Sequence, residues 1–407
     1  MKKTIVLLLF VFLAIAATGM GIWEGTKSRN SPLEQQVYIW QRVWNEQHKS
    51  ALSQSRDLFS ELRILALQAH PEEGWIVPKI TMPLLKQDGR PLWFVVRLDG
   101  SLTNMDNHEI SEQILQKLAV WHKAGLNPVG IEIDYDSATS RLPDYLTLIQ
   151  HLRTQLPKNL KISITALPDW INSPSQLRAL LQETDSSVLQ VHAVLSADKG
   201  LFNATLANRW ITRYSKLTPN SFFVALPAYS MAIVGYDESG AIVESEVPLR
   251  INTKSKELTV DPEIIANFMQ HLERSAPPHL KGILWFRLPL QEDKRAWSLE
   301  TLRAVVTQQP LVTKFSVEFL TTQPSVYDIK LQNQGNRDAL GPLEIRIPAS
   351  QCMAGDGING YRYESGDDSQ RFVRTEENNI AVGKEGLIGW LRCEQINKDR
   401  VEIIETH

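Results

Sequence analysis

The chain has 407 residues, with 43 Lys and Arg against 46 Asp and Glu, and a formal net charge of -3. Neither half carries a block of like charge, which argues against nucleic acid or an acidic polymer as a partner. The length is too great for one ordinary domain but suits a large barrel followed by a smaller module.

The N-terminus has the layout of an export signal. Two lysines precede the apolar run TIVLLLFVFLAIAATGMGIW, which contains small residues where a signal peptidase could cut, namely Ala14, Ala16, Ala17 and Gly19. The run also nearly reaches the roughly 20 residues that span a bilayer. Residues 1–23 are therefore either a cleaved signal peptide or a membrane anchor that attaches through residues 4–23. Both alternatives place the rest of the chain, after a polar linker at 24–36, in the periplasm or outside the cell.

Residues 37–308 are predicted to form a (β/α)8 or TIM barrel. Eight short apolar runs recur, as expected of parallel strands covered on both faces, and amphipathic helical patterns separate most of them. Strand–helix alternation repeated eight times is typical of this barrel. An open doubly wound sheet is the alternative, but no glycine-rich phosphate loop follows the first run. The runs are VYIW (37–40), RILALQA (63–69), LWFVVRL (92–98), VGIEIDYD (129–136), KISITAL (161–167), LQVHAV (189–194), FFVALPA (222–228) and GILWFRL (282–288).

Residues 309–407 are predicted to form a small antiparallel β-sandwich with the size of an immunoglobulin-like module. Its segments alternate polar and apolar residues without a long helix between them, as strands with one solvated face do. The chain's two cysteines, Cys352 and Cys393, both lie here. In an exported protein they are predicted to form a disulfide, with two buried thiols as the alternative. No metal or cofactor motif appears, so neither a metal nor a cofactor is predicted.

The fourth run places three acids at alternate positions. Because strand side chains alternate, Glu132, Asp134 and Asp136 share the face that points into the barrel, with their Cα atoms roughly 6.6 Å apart. Stacked carboxylates in a poorly solvated interior cannot all ionise, so at least one should hold a proton at neutral pH. These are the predicted catalytic residues: Asp136 as general acid, Asp134 as its electrostatic partner, nucleophile or stabiliser, and Glu132 in support. For Glu132, an ion pair with an arginine that closes the barrel is the alternative.

The other runs also end in polar and aromatic residues, at the end of the barrel where active sites lie. Flat rings stack on sugar faces and carboxylates act on glycosidic oxygens, so this set predicts a carbohydrate site. The arginines could neutralise the acids or bind an anionic sugar, and packing or a structural hydrogen bond is the alternative for Trp40 and His192. The predicted substrate-binding residues are Trp40, Arg97, Asp99, His192, Tyr229, Trp285 and Arg287.

The segment VGIEIDYD resembles the motif D-G-x-D-x-D-x-E of chitinase-type (family 18) glycoside hydrolases. Gly130 keeps the glycine, Glu132 and Asp134 stand at the two inner aspartates, and Asp136 stands at the catalytic glutamate. Two positions depart from the pattern. Val129 replaces the first aspartate, and the side chain of Asp136 is one methylene shorter than that of the family's glutamate, which alters its reach.

Two further segments support the same resemblance. VALPAY (224–229) resembles the family's proline–aromatic segment with Tyr229 as its tyrosine, and GILWFRL resembles the last strand, whose tryptophan maps to Trp285. The stretch 230–281 fits a small insertion that many of these enzymes carry. His192 stands where the family has a tyrosine, which puts its substrate-assisted cleavage of N-acetyl sugars in doubt and leaves a two-carboxylate route open.

Over most of the barrel, VYIWQRVW, VVRLDG, GIEIDYDSATSRLPDY and ITALPDW resemble a bacterial family described only as a domain of unknown function. That family implies a hydrolase-like barrel and no particular activity. Together the patterns predict an exported glycoside-hydrolase-like protein that acts on a polysaccharide or glycan by carboxylate general acid catalysis. The alternative is a non-catalytic barrel of the cell envelope that binds a glycan or a protein, or a scaffold held by an uncleaved anchor. No feature indicates an oligomeric state.

Overall fold

The structure is a computed structural model that describes residues 32–102, 106–193, 200–237, 240–244, 256–293 and 295–405. The predicted signal peptide or anchor at 1–23 and the predicted linker up to residue 31 lie outside the described residues. Within the described ranges, no helix combines the length and the apolar character that crossing a membrane requires.

Eight parallel strands close into a barrel, which confirms the predicted fold class. A short strand, β3, pairs antiparallel with the end of β2, and pairing of the last barrel strand, β12, with β1 completes the ring. The strands that precede the insertion described below are β1 (Glu34–Ile39), β2 (Glu61–His70), β3 (Gly74–Ile76), β4 (Leu92–Leu98), β5 (Gly130–Tyr135), β6 (Lys161–Ala166), β7 (Ser186–Gln190) and β8 (Ser221–Pro227), and β12 is Leu280–Phe286. Around the barrel the order is β1, β2, β4, β5, β6, β7, β8, β12.

Eight helices in the described part of the chain follow the strands, and several begin at a side-chain cap. Asp106, Asn203, Asp261 and Ser298 each accept a hydrogen bond from the first turn of the helix that they precede. The helices are α1 (Glu46–Gln54), α2 (Met82–Asp88), α3 (Asn107–Lys123), α4 (Leu142–Gln155), α5 (Pro174–Gln182), α6 (Ala204–Tyr214), α7 (Pro262–Arg274) and α8 (Leu299–Val306).

Two strand boundaries differ from the sequence prediction. β1 begins at Glu34, inside the predicted linker, because Glu34 to Val37 pair with β12. β7 covers Ser186–Gln190 and not 189–194, since its first residues are serines that do not read as an apolar strand. Ser187 is buried, and its hydroxyl accepts a hydrogen bond of 2.8 Å from Tyr214.

Alternation along the strands divides the apolar side chains into two clusters. The outer cluster fills the space between strands and helices and contains most of the core. The inner cluster fills the interior of the barrel with a small set of buried side chains, namely Tyr38, Val95, Val188, Phe223, Ala225 and Leu284. The strands are therefore covered on both sides, which explains why their sequences are nearly continuously apolar.

Between β8 and α7 the chain forms a small antiparallel sheet. Its strands are β9 (Met231–Asp237), β10 (Gly240–Glu244) and β11 (Lys256–Leu258), with β9 in the centre. This sheet falls within the stretch 230–281 that was expected to be an insertion.

The C-terminal region is an antiparallel β-structure with its own core, as predicted. The long strand β16 pairs with β18 and β21 in its first part and with β20 in its second, so two sheet halves enclose one apolar cluster. Cys352 and Cys393 lie opposite each other on β16 and β20 and form a disulfide. The strands are β13 (Phe315–Gln323), β14 (Val326–Asn333), β15 (Ala339–Leu340), β16 (Glu344–Gly357), β17 (Tyr361–Glu364), β18 (Ser369–Arg374), β19 (Asn379–Ile380), β20 (Glu385–Ile396) and β21 (Glu402–Ile404).

The loop between β14 and β15 joins the sandwich to the barrel. Asp338 accepts hydrogen bonds from the backbone N–H of Ser298 (2.6 Å) and from its hydroxyl (2.7 Å), at the start of α8. Arg337 forms an ion pair with Asp261 at 2.9 Å and with Glu263 at 3.1 Å, at the start of α7. Helices of a TIM barrel begin where strands end, so this junction lies at the same end of the barrel as the strand C-termini.

Candidate active site

A cavity of ≈ 250 Å³ opens where the barrel strands end. Seven of the predicted site residues line it: Trp40, Arg97, Asp134, Asp136, His192, Tyr229 and Arg287. Four further lining residues belong to the polar strand ends that the sequence places at the mouth of the barrel, without an assigned role: Arg42, Gln68, Thr165 and Gln190. The sequence prediction did not include the other four, which are Tyr38, Ala225, Met231 and Phe286. The lining mixes carboxylates, cations, amides and aromatic rings, which is the composition of a site for a polar ligand.

One arginine holds both carboxylates of the cavity. Arg97 on β4 donates from Nη1 to Oδ2 of Asp134 (2.6 Å) and from Nη2 to Oδ2 of Asp136 (2.7 Å). The Asp134 side chain is 6% exposed and that of Asp136 is 30% exposed, so the two acids lie at different depths. Charge-assisted bonds of this length fix the two carboxylates relative to each other.

Burial raises the pKa of Asp134 from 3.8 to about 6. The nearby charge of Arg97 opposes this rise in the pKa, while the negative charges of Asp136 and Glu132 add to it. Asp134 is therefore the acid that takes up a proton as the pH falls towards 6, as expected for a carboxyl group in a poorly solvated site.

Glu132 lies beneath the cavity and does not line it. Its carboxylate forms an ion pair with Arg63, both side chains being fully buried, and it accepts hydrogen bonds from the hydroxyls of Tyr38 and Thr165, the latter at 3.0 Å. The guanidinium of Arg63 also lies 4.4 Å from the ring centre of Trp93. Glu132 thus forms the ion pair with an arginine that the sequence analysis gave as its alternative role. The arginine, Arg63, belongs to the second run, RILALQA, and the sequence analysis did not name it.

Two glycines allow the close packing that positions the acids. A Cβ at Gly130 would lie 2.4 Å from the Trp93 ring, so this position of the β5 motif needs glycine for space. A Cβ at Gly100, in the loop after β4, would lie 2.0 Å from the carbonyl oxygen of Asp136. The backbone that carries Asp136 is thus packed directly against the neighbouring loop.

His192 is a buried neutral histidine in the cavity wall. Burial lowers its pKa from 6.5 to about 3. Its Nδ1 lies 3.4 Å from the hydroxyl of Tyr229, and its Nε2 has no hydrogen-bond partner within the described ranges. An unpaired buried nitrogen facing a polar cavity is suited to a hydrogen bond with a ligand.

Trp285 and Asp99, both predicted to bind substrate, do not line the cavity. Trp285 is fully buried on the outer face of β12, where its Nε1 donates to Oε1 of Gln35 (2.8 Å). Its neighbour Phe286 points inward and lines the cavity, because side chains alternate along a strand. Asp99 accepts a hydrogen bond of 2.9 Å from the backbone of Ser101.

The two other arginines of the wall differ in how firmly they are paired. Arg287 forms an ion pair with Asp293 at 2.7 Å, with side chains 6% and 10% exposed. Arg42 lies 3.9 Å from Glu73, and these side chains are 39% and 59% exposed. Among the described residues, no group of three or more His, Cys, Asp or Glu side chains has an arrangement that could hold a metal ion.

Residues 88–291, about half of the chain, match the family described as domain of unknown function DUF3142. The chain belongs to this family. Residues 317–394 match a second family, which is described as domain of unknown function DUF8456. A search of curated protein sequences gives no match.

The barrel also resembles solved structures of glycoside hydrolases. A chitinase from Bacteroides thetaiotaomicron is 12% identical, with a TM-score of 0.50 over 69% of this chain and 98% of that one. A chitinase from Chromobacterium violaceum (13%, TM-score 0.48, 68% and 98%) and the spore cortex-lytic enzyme SleL from Bacillus cereus (14%, TM-score 0.48, 68% and 74%) are also similar. The predicted resemblance to chitinase-type hydrolases is confirmed for the fold, and identities this low show the fold alone.

Proposed function

We propose that this protein is an exported glycoside hydrolase that cleaves a polysaccharide or another glycan. The observation that carries the proposal is the carboxylate pair Asp134 and Asp136, bound to one arginine in a cavity at the mouth of the barrel. Glycosidic bonds are usually cleaved by two carboxyl groups, one of which supplies a proton to the leaving oxygen.

The two acids have different environments and take different roles. Asp136 follows the last residue of β5 and is the more exposed, so it protonates the glycosidic oxygen. Asp134 lies deeper and stabilises the positive charge that develops on the sugar ring. Asp134 can stabilise this charge only while it is ionised. Since its pKa is raised to about 6, activity is expected to fall as the pH falls through 6 and Asp134 takes up a proton.

The remaining wall provides the contacts that a sugar needs. The rings of Trp40 and Phe286 lie 5.1 Å apart at the cavity, and Tyr229 packs against Phe286 with ring centres separated by 5.2 Å. Aromatic faces pack against the apolar faces of sugar rings, while Gln68 and Gln190 offer amides to hydroxyl groups.

A second candidate function is binding of a glycan or a protein without cleavage. It is favoured by Arg97, whose bonds to both carboxylates must loosen before either acid can act on a substrate. Val129 and Asp136 favour it too, because they depart from the chitinase-type motif at an acid and at the proton donor.

A glycan library digested by the purified protein separates the two candidates. The wild type is expected to release reducing ends, and Asp136→Asn to bind the same glycan without releasing them. Asp169→Asn is the matched control, because Asp169 follows the neighbouring strand β6 but is exposed and does not line the cavity. Equal release by the wild type and Asp136→Asn would refute the role of Asp136. Binding without release by the wild type would establish the second function.

Export is the part of the proposal that rests on the N-terminal residues and the cysteines. The lysine-flanked apolar run favours passage through the membrane, and the Cys352–Cys393 disulfide favours an oxidising compartment. The mature protein then lies in the periplasm or outside the cell, or is held at the membrane through residues 4–23. Cell fractionation together with mass spectrometry of the mature N-terminus distinguishes these locations, and an intact protein in the cytoplasm would refute export.

A further inference from the structure

Two of the three arginines that line the cavity lie on the side opposite the two lining carboxylates. Arg42 follows β1, and Arg287 follows β12, which pairs with β1. The two lining carboxylates come from the end of β5, which lies three strands from β1 and four strands from β12 in the closed order. The cavity therefore has a side with Arg42 and Arg287 and a side with the two carboxylates, where Arg97 is bonded to both acids.

The three arginines of the wall are not equally available to a ligand. Arg97 already binds two carboxylates at 2.6 and 2.7 Å, and Arg287 binds a nearly buried one at 2.7 Å. Arg42 lies 3.9 Å from Glu73, too far for a hydrogen bond, and both side chains are well exposed. Exposed ion pairs of this kind contribute little to the free energy of folding, so an anionic ligand can replace Glu73 beside Arg42 with little loss of free energy.

The cavity wall presents buried polar atoms that lack a hydrogen bond within the described part of the chain. They are Oδ1 of Asp134, Oδ1 of Asp136 and Nε2 of His192. Buried polar atoms are normally paired, so these three atoms await partners from a ligand. Ionised carboxylates only accept hydrogen bonds, so the matching ligand groups are donors such as hydroxyls.

We infer that the cavity binds an acidic sugar, with its hydroxyls on Asp134, Asp136 and His192 and its carboxylate on Arg42. The inference rests on the proposed function and names its substrate class as glycans that contain uronic acids or other carboxylated sugars. A planar guanidinium matches a planar carboxylate through two parallel hydrogen bonds, which suits arginine to this task. Arg42 is then a specificity-determining residue and takes no part in bond cleavage.

The test is calorimetric binding of galacturonate, glucuronate and mannuronate tetrasaccharides, each compared with its carboxyl-reduced neutral counterpart. At least one acid is expected to bind the wild type about tenfold more tightly than its neutral counterpart, with a smaller difference at high salt. Arg42→Gln should remove this preference. Arg346→Gln is the matched control, because Arg346 lies in the sandwich with a similar exposed fraction, 44%.

The possible failures differ between this inference and the proposed function. Equal binding of acid and neutral glycans, or a preference that survives in Arg42→Gln with an unchanged melting temperature, would overturn the inference alone. If the wild type releases sugar only from the neutral glycans of the library, the inference is overturned and the proposed function is not. If the wild type neither binds nor cleaves any glycan, both the inference and the proposed function are overturned.

Discussion

The raised pKa of Asp134 makes the stability of the barrel depend on pH in a defined direction. The folded protein binds this proton more tightly than the unfolded chain, because the pKa is about 6 in the fold and 3.8 ordinarily. The resulting stabilisation is fully present below pH 3.8 and is lost as the pH rises through 6. The difference between the two pKa values corresponds to ~3 kcal/mol in the free energy of unfolding.

Asp134→Asn removes the titrating group while it retains a side-chain oxygen for Arg97. The free energy of unfolding of the wild type minus that of Asp134→Asn should therefore fall by up to ~3 kcal/mol between pH 4 and pH 7. Urea unfolding followed by tryptophan fluorescence at several pH values measures this difference, and titrating groups that do not interact with Asp134 cancel in the subtraction.

Asp99→Asn is the control with the opposite sign. Burial raises the pKa of Asp99, but the hydrogen bonds from Ser101 and the charges of Arg97 and His70 together lower this pKa below its ordinary value. Its contribution to stability is therefore present above the ordinary pKa and is lost as the pH falls. A wild-type minus Asp134→Asn difference that stays constant with pH, or that rises like that of Asp99→Asn, would refute the environment assigned to Asp134.

Three further substitutions test individual contacts. Gly100→Ala should strongly lower glycan cleavage or binding and should also lower the melting temperature. Its Cβ would lie 2.0 Å from the carbonyl oxygen of Asp136, so the backbone would have to shift; full activity would contradict this packing. Glu132→Gln should cost ~3–5 kcal/mol in urea unfolding, because Arg63 would keep an unpaired buried charge, and replacing both residues with apolar ones should restore part of the loss. Replacing both cysteines by serine should lower the stability of the sandwich by ~4 kcal/mol for the sequence separation of 41, and an unchanged melting curve would contradict this.

The barrel could be predicted because its signal is local and repeated. Most of the eight runs are nearly continuously apolar, and most of their polar residues come where the strand stops, as in LWFVVRL before Asp99. Alternation on β5 also correctly placed Asp134 and Asp136 in one cavity. The predicted bounds of β7 were displaced because its buried serines carry no apolar signal. One of them, Ser187, is satisfied by the hydroxyl of Tyr214 on α6.

The surroundings of Trp285 and Glu132 could not be predicted from one run of residues, because they depend on how the strands pair in the barrel. Trp285 and Phe286 are adjacent aromatic residues, and the choice of which one faces inward follows from the pairing of β12 with β1 and β8. The resemblance to the last strand of chitinase-type enzymes favoured the tryptophan, one residue from the ring that lines the cavity. The ion-pair partner of Glu132 could not be predicted from the sequence either, because Arg63 lies on β2, which is not adjacent to β5 in the barrel.

Two arginines give the three acids of β5 separate properties. At the bottom, Arg63 and two hydroxyl groups satisfy the carboxylate of Glu132, which leaves it a structural role. At the top, Arg97 is shared between Asp134 and Asp136, so it cannot fully neutralise both, and the deeper acid holds its proton to higher pH. A single arginine at this level therefore leaves one proton of the pair exchangeable near neutral pH. A second arginine beside Asp134 and Asp136 would neutralise both carboxylates and lower the pKa of Asp134. The number of cations beside β5 therefore determines whether this site has an acid that can give up a proton to a glycan.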